Sequence, residues 1–272
     1  MISFLSDFGP ESAPAICRGV ILSIVRDAQI VDISHSVRKF AILDGAYLLW
    51  SAVPWLPVGI HLVVVDPGVG TDRLPIAIRA ARGDVLVGPD NGVLQPAAAA
   101  LGGAVEARVL ENRDLMLARS SSTFHGRDVF APVAAHLAAG RPYEDVGRSI
   151  DTGSLVPLDF PAAVAADGAL ATSVLFVDSF GNLRLGGVPA DLEAAIGPLA
   201  VGRPLRVEFG AHDGQPASGQ TIPWARTFGD RPAGALLVYE NSFGGLAIAV
   251  NQGSAASALG VGSGRPVRIG SA

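Results

Sequence analysis

The sequence predicts two domains: an α/β domain with a mostly parallel sheet, followed by a smaller β-rich domain. Up to about residue 150, short β-rich runs alternate with segments of helical periodicity. Beyond that point, strand-like runs are separated by Gly-rich turns. Between these two regions, residues 155–168 contain two prolines and show little periodicity. We therefore predict domains at 1–157 and 169–272, joined by a linker at 158–168; a chain of 272 residues is long enough for both.

In the N-terminal part, strands and helices follow one another in order. Strands are predicted at 2–5, 30–33, 61–65, 75–80 and 84–88, and helices at 14–28 and 41–53. Ser12 is a suitable cap for the first helix, and Pro14 suits its first turn. This alternation favours a parallel sheet with helices on both faces.

The C-terminal part is predicted to be almost entirely β. Its strands are expected at 170–177, 204–209, 234–240, 245–250 and 265–270, with one helix at 189–197. A barrel and a sandwich are both compatible with this pattern.

Composition excludes several partners. The net charge is −5, and the twenty basic residues include a single lysine, so no basic stripe for nucleic acid is expected. The first residues lack a basic start, and the charge-free windows 45–65 and 241–264 are interrupted by Pro, Gly or Ser, so neither a targeting signal nor a membrane span is expected. The only cysteine, Cys17, cannot form an internal disulfide, which fits a cytoplasmic protein.

Acidic residues follow several predicted strands. Asp7, Asp66 and Asp90 come directly after strands of the first domain, and Asp178 follows a strand of the second. Ligands of open α/β sheets bind at the carboxyl ends of the strands. Asp before Pro-Gly or Asn-Gly is also common turn chemistry, so each residue alone has two interpretations.

The segment "TFHGRD" places His125, Arg127 and Asp128 directly before an apolar segment of helical spacing. A helix is expected from about Val129, and Thr123 or Asp128 is a plausible cap. A structural loop and a functional loop are both compatible with this pattern. No HExxH, CxxC, P-loop, GxSxG or Rossmann glycine motif occurs, so neither a metal nor a dinucleotide is expected.

Motifs along nearly the whole chain resemble those of one family. "SDFG", "VVVDPGVGTDR", "GPDNGVL", "STFHGRDVFAPVAAHLAAG", "VDSFGN" and "NSFGGLAIAVNQGSA" occur in the order seen in the S-adenosyl-L-methionine (SAM) hydroxide adenosyltransferases, or adenosine-forming SAM hydrolases. This family is related to enzymes that transfer fluoride or chloride to SAM. The resemblance implies a three-layer α/β domain followed by a β-barrel-like domain.

The resemblance also implies a reaction: hydrolysis of SAM to adenosine and L-methionine by an activated water that attacks the ribose C5′. Asp66, Arg73 and His125 match the residues that hold and activate this water. No cofactor is implied, because SAM is the substrate.

Substrate contacts are implied in both domains, in a homotrimer whose sites lie between subunits. Asp7 matches the residue that binds the ribose hydroxyls. The other implied contacts are Asp178 and Ser242 for the methionine ammonium and carboxylate, and Phe180, Asn182 and Asn251 for adenine. After "SDFG" this chain reads "PESAPAIC", where the family usually has a further acidic residue and an aromatic one.

Two alternatives to the hydrolase are a halide-dependent SAM enzyme and a SAM- or adenosine-binding protein without catalysis. In the halide-using relatives, aromatic residues tend to replace Asp66 and His125, and the fluoride enzyme has a serine at the position of Gly126. The Asp, Arg and His of this chain therefore favour the hydrolase over both.

Overall fold

The chain forms two compact units in a computed structural model that describes residues 1–119 and 121–272. The units are Met1–Asp159 and Phe160–Ala272. The first is mixed α/β, and the second is antiparallel β with two short helices among its described residues.

The first unit is built on one sheet. Its strands are Ile2–Ser6 (β1), Ile30–Ser34 (β2), Ile60–Val64 (β3), Pro75–Ala80 (β4), Val85–Pro89 (β5), Ala104–Val109 (β6) and Ser149–Ile150 (β7). Its α-helices are Ala13–Ile24 (α1), Ile42–Ala52 (α2), Gln95–Ala100 (α3) and Ala131–Ala138 (α4). The strand order is β2-β1-β3-β5-β4-β6-β7.

This sheet is mixed rather than mostly parallel, which corrects the expectation from the sequence. Strands β2, β1, β3 and β5 run parallel to one another. Strands β4, β6 and β7 pair antiparallel. The reason is the short connection from β4 to β5: a parallel crossover needs a dozen or more residues, whereas a short turn forces a hairpin.

Helices pack against both faces of the sheet. Phe4 of β1 belongs to a buried cluster with Ile21 of α1 and Phe130. On the opposite face, Gly45 of α2 lies so close to the sheet that an added Cβ would come within 2.9 Å of Val65. The absence of a side chain at this position therefore allows α2 to pack closely.

A fully buried polar network joins β1 to β3 near the amino ends of β3 and β5. Ser3 Oγ lies 2.7 Å from His61 Nδ1, and His61 Nε2 lies 3.0 Å from Asp84 Oδ1. Burial, the largest influence, lowers the pKa of His61 below its ordinary value, and Arg82 acts in the same direction, although Asp84 raises it. The imidazole is therefore neutral, donates from Nε2 to the carboxylate and accepts from the serine hydroxyl at Nδ1.

The second unit contains a nearly closed, barrel-like sheet. Its strands are Val164–Ala166 (β8), Ala169–Val177 (β9), Leu183–Leu185 (β10), Pro204–Phe209 (β11), Ser218–Pro223 (β12), Leu236–Glu240 (β13), Leu246–Val250 (β14) and Pro266–Ser271 (β15), and its α-helices are Pro189–Ile196 (α5) and Ala255–Leu259 (α6). The order is β12-β11-β15-β9-β10-β14-β13, with β8 beside β9. A bridge between Trp224 and Val238 connects the two ends of this order, so the barrel interpretation is favoured over a sandwich.

Part of the segment 158–168, expected to be a linker, is strand β8. It pairs with β9 across the two residues Asp167 and Gly168. Both have positive φ, at 50° and 67°, as a type I′ hairpin turn requires. Asp-Gly is a strong hairpin signal, which the proline content of the segment obscured.

The charge-free windows of the sequence divide among several elements. Residues 45–65 contribute to α2, a 3₁₀ turn and β3, and residues 241–264 include β14 and α6. Among the described residues, no helix has the length and apolarity that crossing a membrane requires.

Candidate active site

The carboxyl ends of β1 and β3 lie side by side, because the two strands pair in parallel register. Asp7 follows β1 and Asp66 lies just beyond β3. Both line one cleft of about 270 Å³, with further walls from Phe8, Lys39, Phe40, Val64, Val69, Thr123, Phe124, His125 and Gly126. Asp90, after β5, does not line it and instead accepts a hydrogen bond from the Val156 amide.

Arg73 joins Asp66 to His125. Its Nε donates to Asp66 Oδ1 at 2.8 Å, and its Nη2 donates to Asp66 Oδ2. The same Nη2 lies 3.0 Å from His125 Nδ1. The Arg73 and Asp66 side chains are 9% and 5% exposed. Arg73 Nη1 is also buried and has no hydrogen-bond partner among the described residues, so one charged donor of the cluster is unused by the protein.

The loop after β3 brings Arg73 back to Asp66. The Thr71 hydroxyl and amide both donate to the Gly68 carbonyl, which closes a tight turn. Gly70 has a φ of 79°, and a Cβ there would lie 2.7 Å from the Ser122 carbonyl oxygen. Only glycine fits this position without displacing the segment that leads to His125.

His125 precedes a π-helical turn, Gly126–Phe130, that continues into α4. A Cβ at Gly126 would come within 2.8 Å of the Phe8 ring and 3.1 Å of Val64. The missing side chain therefore allows this turn to approach β3 and the loop after β1. π-Helical turns occur frequently at functional sites.

Arg127 and Asp128 hold this turn. The Arg127 guanidinium donates to both oxygens of the fully buried Asp128, at 2.6 and 3.0 Å, and the Ser121 amide donates to it at 2.6 Å. Burial alone would raise the pKa of Asp128, but these hydrogen bonds lower it below its ordinary value. Contrary to expectation, neither Thr123 nor Asp128 caps a helix, because the carboxylate lies inside the turn.

His125 is a neutral imidazole with a defined tautomer. Burial lowers its pKa and the adjacent Arg73 lowers it further, whereas Asp66 acts in the opposite direction. Arginine can only donate hydrogen bonds, so Nδ1 must be the acceptor in the contact with Arg73. The proton of the neutral ring therefore lies on Nε2, and His125 is one of the residues that line the cleft.

Asp7 is held by the backbone of a second loop. The Phe40 amide donates to its Oδ2 at 3.0 Å. Phe40 has a φ of 67°, a strained conformation for a bulky residue, and its side chain is 69% exposed. Such strain is characteristic of functional sites.

In the second unit, Asp178 organises the turn after β9. Its carboxylate accepts from the amides of Phe180 and Asn182, from the Asn182 side chain and from Arg184, at 2.9 to 3.0 Å. Four donors match the capacity of a carboxylate. In this arrangement Asp178 presents the 76% exposed Phe180 and the buried Asn182, and a contact with a ligand ammonium stays a prediction.

Three of the remaining predicted contact residues line one cleft of the second unit, and a fourth, Ser242, lines another. Phe180, Asn182 and Asn251 line one cleft of about 450 Å³, together with Phe228, Val250, Gln252, Gly253 and Ser254. Ser242 lines a different cleft of about 590 Å³ with Leu199, Ala200, Val201, Trp224, Ala225, Arg226, Glu240 and Asn241.

Sequence reasoning missed four residues that line these clefts. Phe8 was visible inside "SDFG", and Lys39 is the only lysine of the chain. Phe40 and Phe228 carry no motif of their own. Phe228 packs against Tyr239 at 5.0 Å between ring centroids and shares a cleft with Phe180, so two aromatic side chains border the same space.

Two solved structures show the similarity of this fold to known proteins. An uncharacterized conserved protein from Thermotoga maritima superimposes with a TM-score of 0.89 at 36% identity, covering 99% of this chain and 100% of that one. A conserved hypothetical protein from Thermus thermophilus gives a TM-score of 0.74 at 36% identity, covering 98% of each chain.

Curated relatives carry two names. The (R)-S-adenosyl-L-methionine hydrolase of Salinispora arenicola is 45% identical over 269 residues, covering 98% of this chain and 97% of the relative. The protein of the same name from Thermus thermophilus is 38% identical over 98% of both chains. The fluorinase of Actinopolyspora mzabensis is 30% identical, covering 99% of this chain and 96% of the relative.

Family models cover both units. Residues 2–147 match the SAM hydroxide adenosyltransferase N-terminal domain, and residues 172–268 match the SAM hydroxide adenosyltransferase C-terminal domain. The two matches occupy most of the chain and agree with the names of the more similar relatives. The chain belongs to the SAM hydroxide adenosyltransferase family.

Proposed function

We propose that this enzyme hydrolyses SAM to adenosine and L-methionine by attack of water on the ribose C5′. The observation that carries the proposal is the hydrogen-bonded cluster of Asp66, Arg73 and His125 beside a cleft that also contains Asp7. Relatives named SAM hydrolase are 37–45% identical to this chain, whereas those named fluorinase are 28–30% identical.

The chemistry requires activation of the nucleophile rather than of the leaving group. Water forms a bond to C5′ while the C5′–S bond breaks and its electron pair returns to sulfur. The sulfonium becomes a neutral thioether, which leaves without protonation. The attacking oxygen, initially carrying two protons, loses one, so adenosine, methionine and one proton are formed. Water is a weak nucleophile, so the protein must orient it and accept that proton.

The tautomer of His125 favours a role as hydrogen-bond donor to the water over a role as general base. Its Nδ1 lone pair is used by Arg73, and Nε2 carries a proton, so neither ring nitrogen is free to accept one from water. The Nε2–H group instead orients the water oxygen. Asp66 keeps unused lone pairs after its contacts with Arg73 and is the proton acceptor.

The substrate contacts follow the same division into two units. In the first unit, Asp7 accepts hydrogen bonds from the two ribose hydroxyls, which suits a carboxylate held at one oxygen by a backbone amide. In the second unit, the cleft with Phe180, Asn182 and Asn251 binds adenine, and Phe228 adds a second ring. Ser242 contacts the methionine group, and Asp178 attracts its ammonium by charge, because the acceptor positions of this carboxylate are already occupied within the protein. The reaction needs no cofactor and no metal.

We further propose a homotrimer in which the sites combine residues of different subunits. The resemblance to the family supports this, as does the distribution of the contact residues over both units. No bound metal or nucleic acid is part of the proposal.

The proposed reaction is tested by the origin of the product oxygen. Purified protein incubated with SAM in ¹⁸O-labelled water should yield adenosine labelled at the 5′ oxygen, together with methionine. Mass spectrometry measures the label. Unlabelled adenosine would refute hydrolysis at C5′, and 5′-halo-adenosine formed in chloride or fluoride at a rate similar to adenosine would favour the halide enzyme instead.

Substitutions at His125 separate donation from general-base catalysis. His125→Ala should turn over at least roughly a hundredfold more slowly while KM changes only a few-fold, because the contact acts on the attacking water. His125→Gln places an amide N–H near the Nε2 position, so we expect turnover within about tenfold of wild type. A general base would make both variants equally slow.

Asp7→Ala should mainly raise KM, since ribose contacts exist before the reaction.

The protonation state of His125 is testable without substrate. In Arg73→Gln the positive charge is lost while Asp66 stays, so the pKa of His125 should rise above that in the wild type. NMR titration of the imidazole Cε1 proton measures it. His136, whose pKa is lowered by burial and by Arg141, is the internal control and should not change. A constant or lower His125 pKa would contradict the assignment of a neutral ring controlled by Arg73.

Assembly is tested by sedimentation of the full chain. A homotrimer should be observed at the concentrations used for the activity assay. A monomer with full activity would show that one chain contains the whole site and would remove the subunit arrangement from the proposal, leaving the hydrolysis itself untouched.

A further inference from the structure

His35 lies next to the loop that carries Asp7. His35 Nδ1 lies 2.8 Å from Ser6 Oγ, and His35 Nε2 lies 3.0 Å from Asp32 Oδ1. Asp32 is in turn paired with Arg18 at 2.9 Å. The imidazole also packs edge-on against Phe4, with ring centroids 4.6 Å apart. Three side chains thus hold this ring in one orientation, and Arg18 holds one of the three.

The order Ser, His, Asp is reminiscent of a nucleophilic triad, but burial excludes that role. Ser6 is the last residue of β1 and has no exposed surface. A nucleophile must reach its substrate, and this hydroxyl faces only protein. The network therefore acts on the loop after β1 rather than on a bound molecule.

Asp32 fixes the direction of every hydrogen bond in the network. A carboxylate paired with arginine only accepts, so in the neutral tautomer that fits this contact the ring proton lies on Nε2. Nδ1 then accepts from the Ser6 hydroxyl. This orientation leaves an oxygen lone pair of Ser6 for the Phe8 amide, which lies 3.4 Å away.

Two backbone amides of the loop are therefore tied to His35. Phe8 N–H is held through Ser6, and Gly9 N–H donates directly to the His35 carbonyl at 2.7 Å. Asp7 lies between Ser6 and Phe8, directly before the two tethered amides.

The tether also reaches the turn of His125. The Phe8 ring lies where a side chain at Gly126 would be, and it contacts Phe124 edge-on at 5.5 Å. A shift of this loop would thus move the carboxylate of Asp7 and one wall beside His125 together.

We propose that His35 is a positioning residue for ribose binding: through Ser6 it fixes the loop that presents Asp7 to the substrate. This inference rests on the proposed function for the identity of the ligand. Its structural part, the restraint of residues 7–9 by Ser6 and His35, does not depend on that function.

The chain contains a matched comparison for this network. Ser3 lies on the same strand as Ser6, is equally buried and makes the same contact with a histidine Nδ1, that of His61. Its network lies toward the amino ends of β3 and β5, and none of its hydrogen bonds among the described residues involves a residue of the cleft. Ser3→Ala and Ser6→Ala therefore remove the same atom and the same hydrogen bond, and they differ in what the serine holds.

The two alanine variants test the proposal directly. Ser6→Ala should raise KM for SAM, and the Kd for the product adenosine measured by calorimetry, by about three- to tenfold, with kcat within about twofold of wild type. Ser3→Ala should lower Tm about as much as Ser6→Ala does, because each variant loses one buried hydrogen bond. It should leave the KM for SAM and the Kd for adenosine unchanged. Equal KM and Kd values in the two variants would overturn the proposal.

Substitutions of His35 separate the hydrogen bond from the packing. His35→Asn can keep an acceptor toward Ser6 but loses the ring, whereas His35→Phe keeps the ring against Phe4 and loses the acceptor. If the histidine positions the loop through Ser6, adenosine affinity should be closer to wild type in His35→Asn. If it only packs, His35→Phe should be the better binder, and the proposal would fail.

Amide hydrogen exchange distinguishes failure of this inference from failure of the proposed function. The Phe8 and Gly9 amides should exchange faster in Ser6→Ala than in wild type and should be unchanged in Ser3→Ala. This measurement needs no substrate. If wild type failed to hydrolyse SAM, the exchange rates would still decide whether Ser6 and His35 restrain the loop, and unchanged exchange would refute it.

Discussion

The guanidinium of Arg73 is the contact on which the chemistry of the first unit depends. It binds a carboxylate seven residues away and an imidazole 52 residues away, in a setting where neither Asp66 nor Arg73 is well exposed. Separating the pair would leave a buried carboxylate without a partner, which is energetically costly, so the burial of Asp66 and Arg73 favours their staying paired. The neutral ring of His125 follows from its burial, which lowers its pKa, and from the same contact, which lowers it further. Gly70 and Gly126 allow the two chain segments to approach closely enough for it to form.

Pairing of aspartate with arginine recurs throughout the molecule. Arginine presents a planar fork that matches both carboxylate oxygens, which lysine cannot do. In each case the paired carboxylate also fixes a loop or a strand end, as in Asp66 with Arg73, Asp84 with Arg82, Asp128 with Arg127 and Asp178 with Arg184.

Two similar hydrogen-bond networks on strand β1 have different roles because they lie at different positions along the strand. The serine–histidine–aspartate networks at Ser3 and Ser6 contain the same groups at similar distances. The first lies within the sheet, where it satisfies buried polar groups and holds strands together. The second lies at the carboxyl end of β1, where the chain leaves the sheet. There its hydrogen bonds reach the loop that carries Asp7, so the second network contacts residues of the cleft.

The sequence alone determined which residues come after strands, since periodicity and turn chemistry are local: "SDFG" and "DPGVG" placed Asp7 and Asp66 correctly at strand ends. It also indicated two units of different texture. Short elements such as α3, β7 and β10 escaped because so few residues carry no usable period. Only tertiary structure decided that Arg73 turns back to both Asp66 and His125, that Ser242 lines a different cleft from Phe180, and that Phe40 supplies a backbone donor to Asp7. These depend on distances between residues far apart in the chain, set by packing and buried charge, which no local pattern encodes.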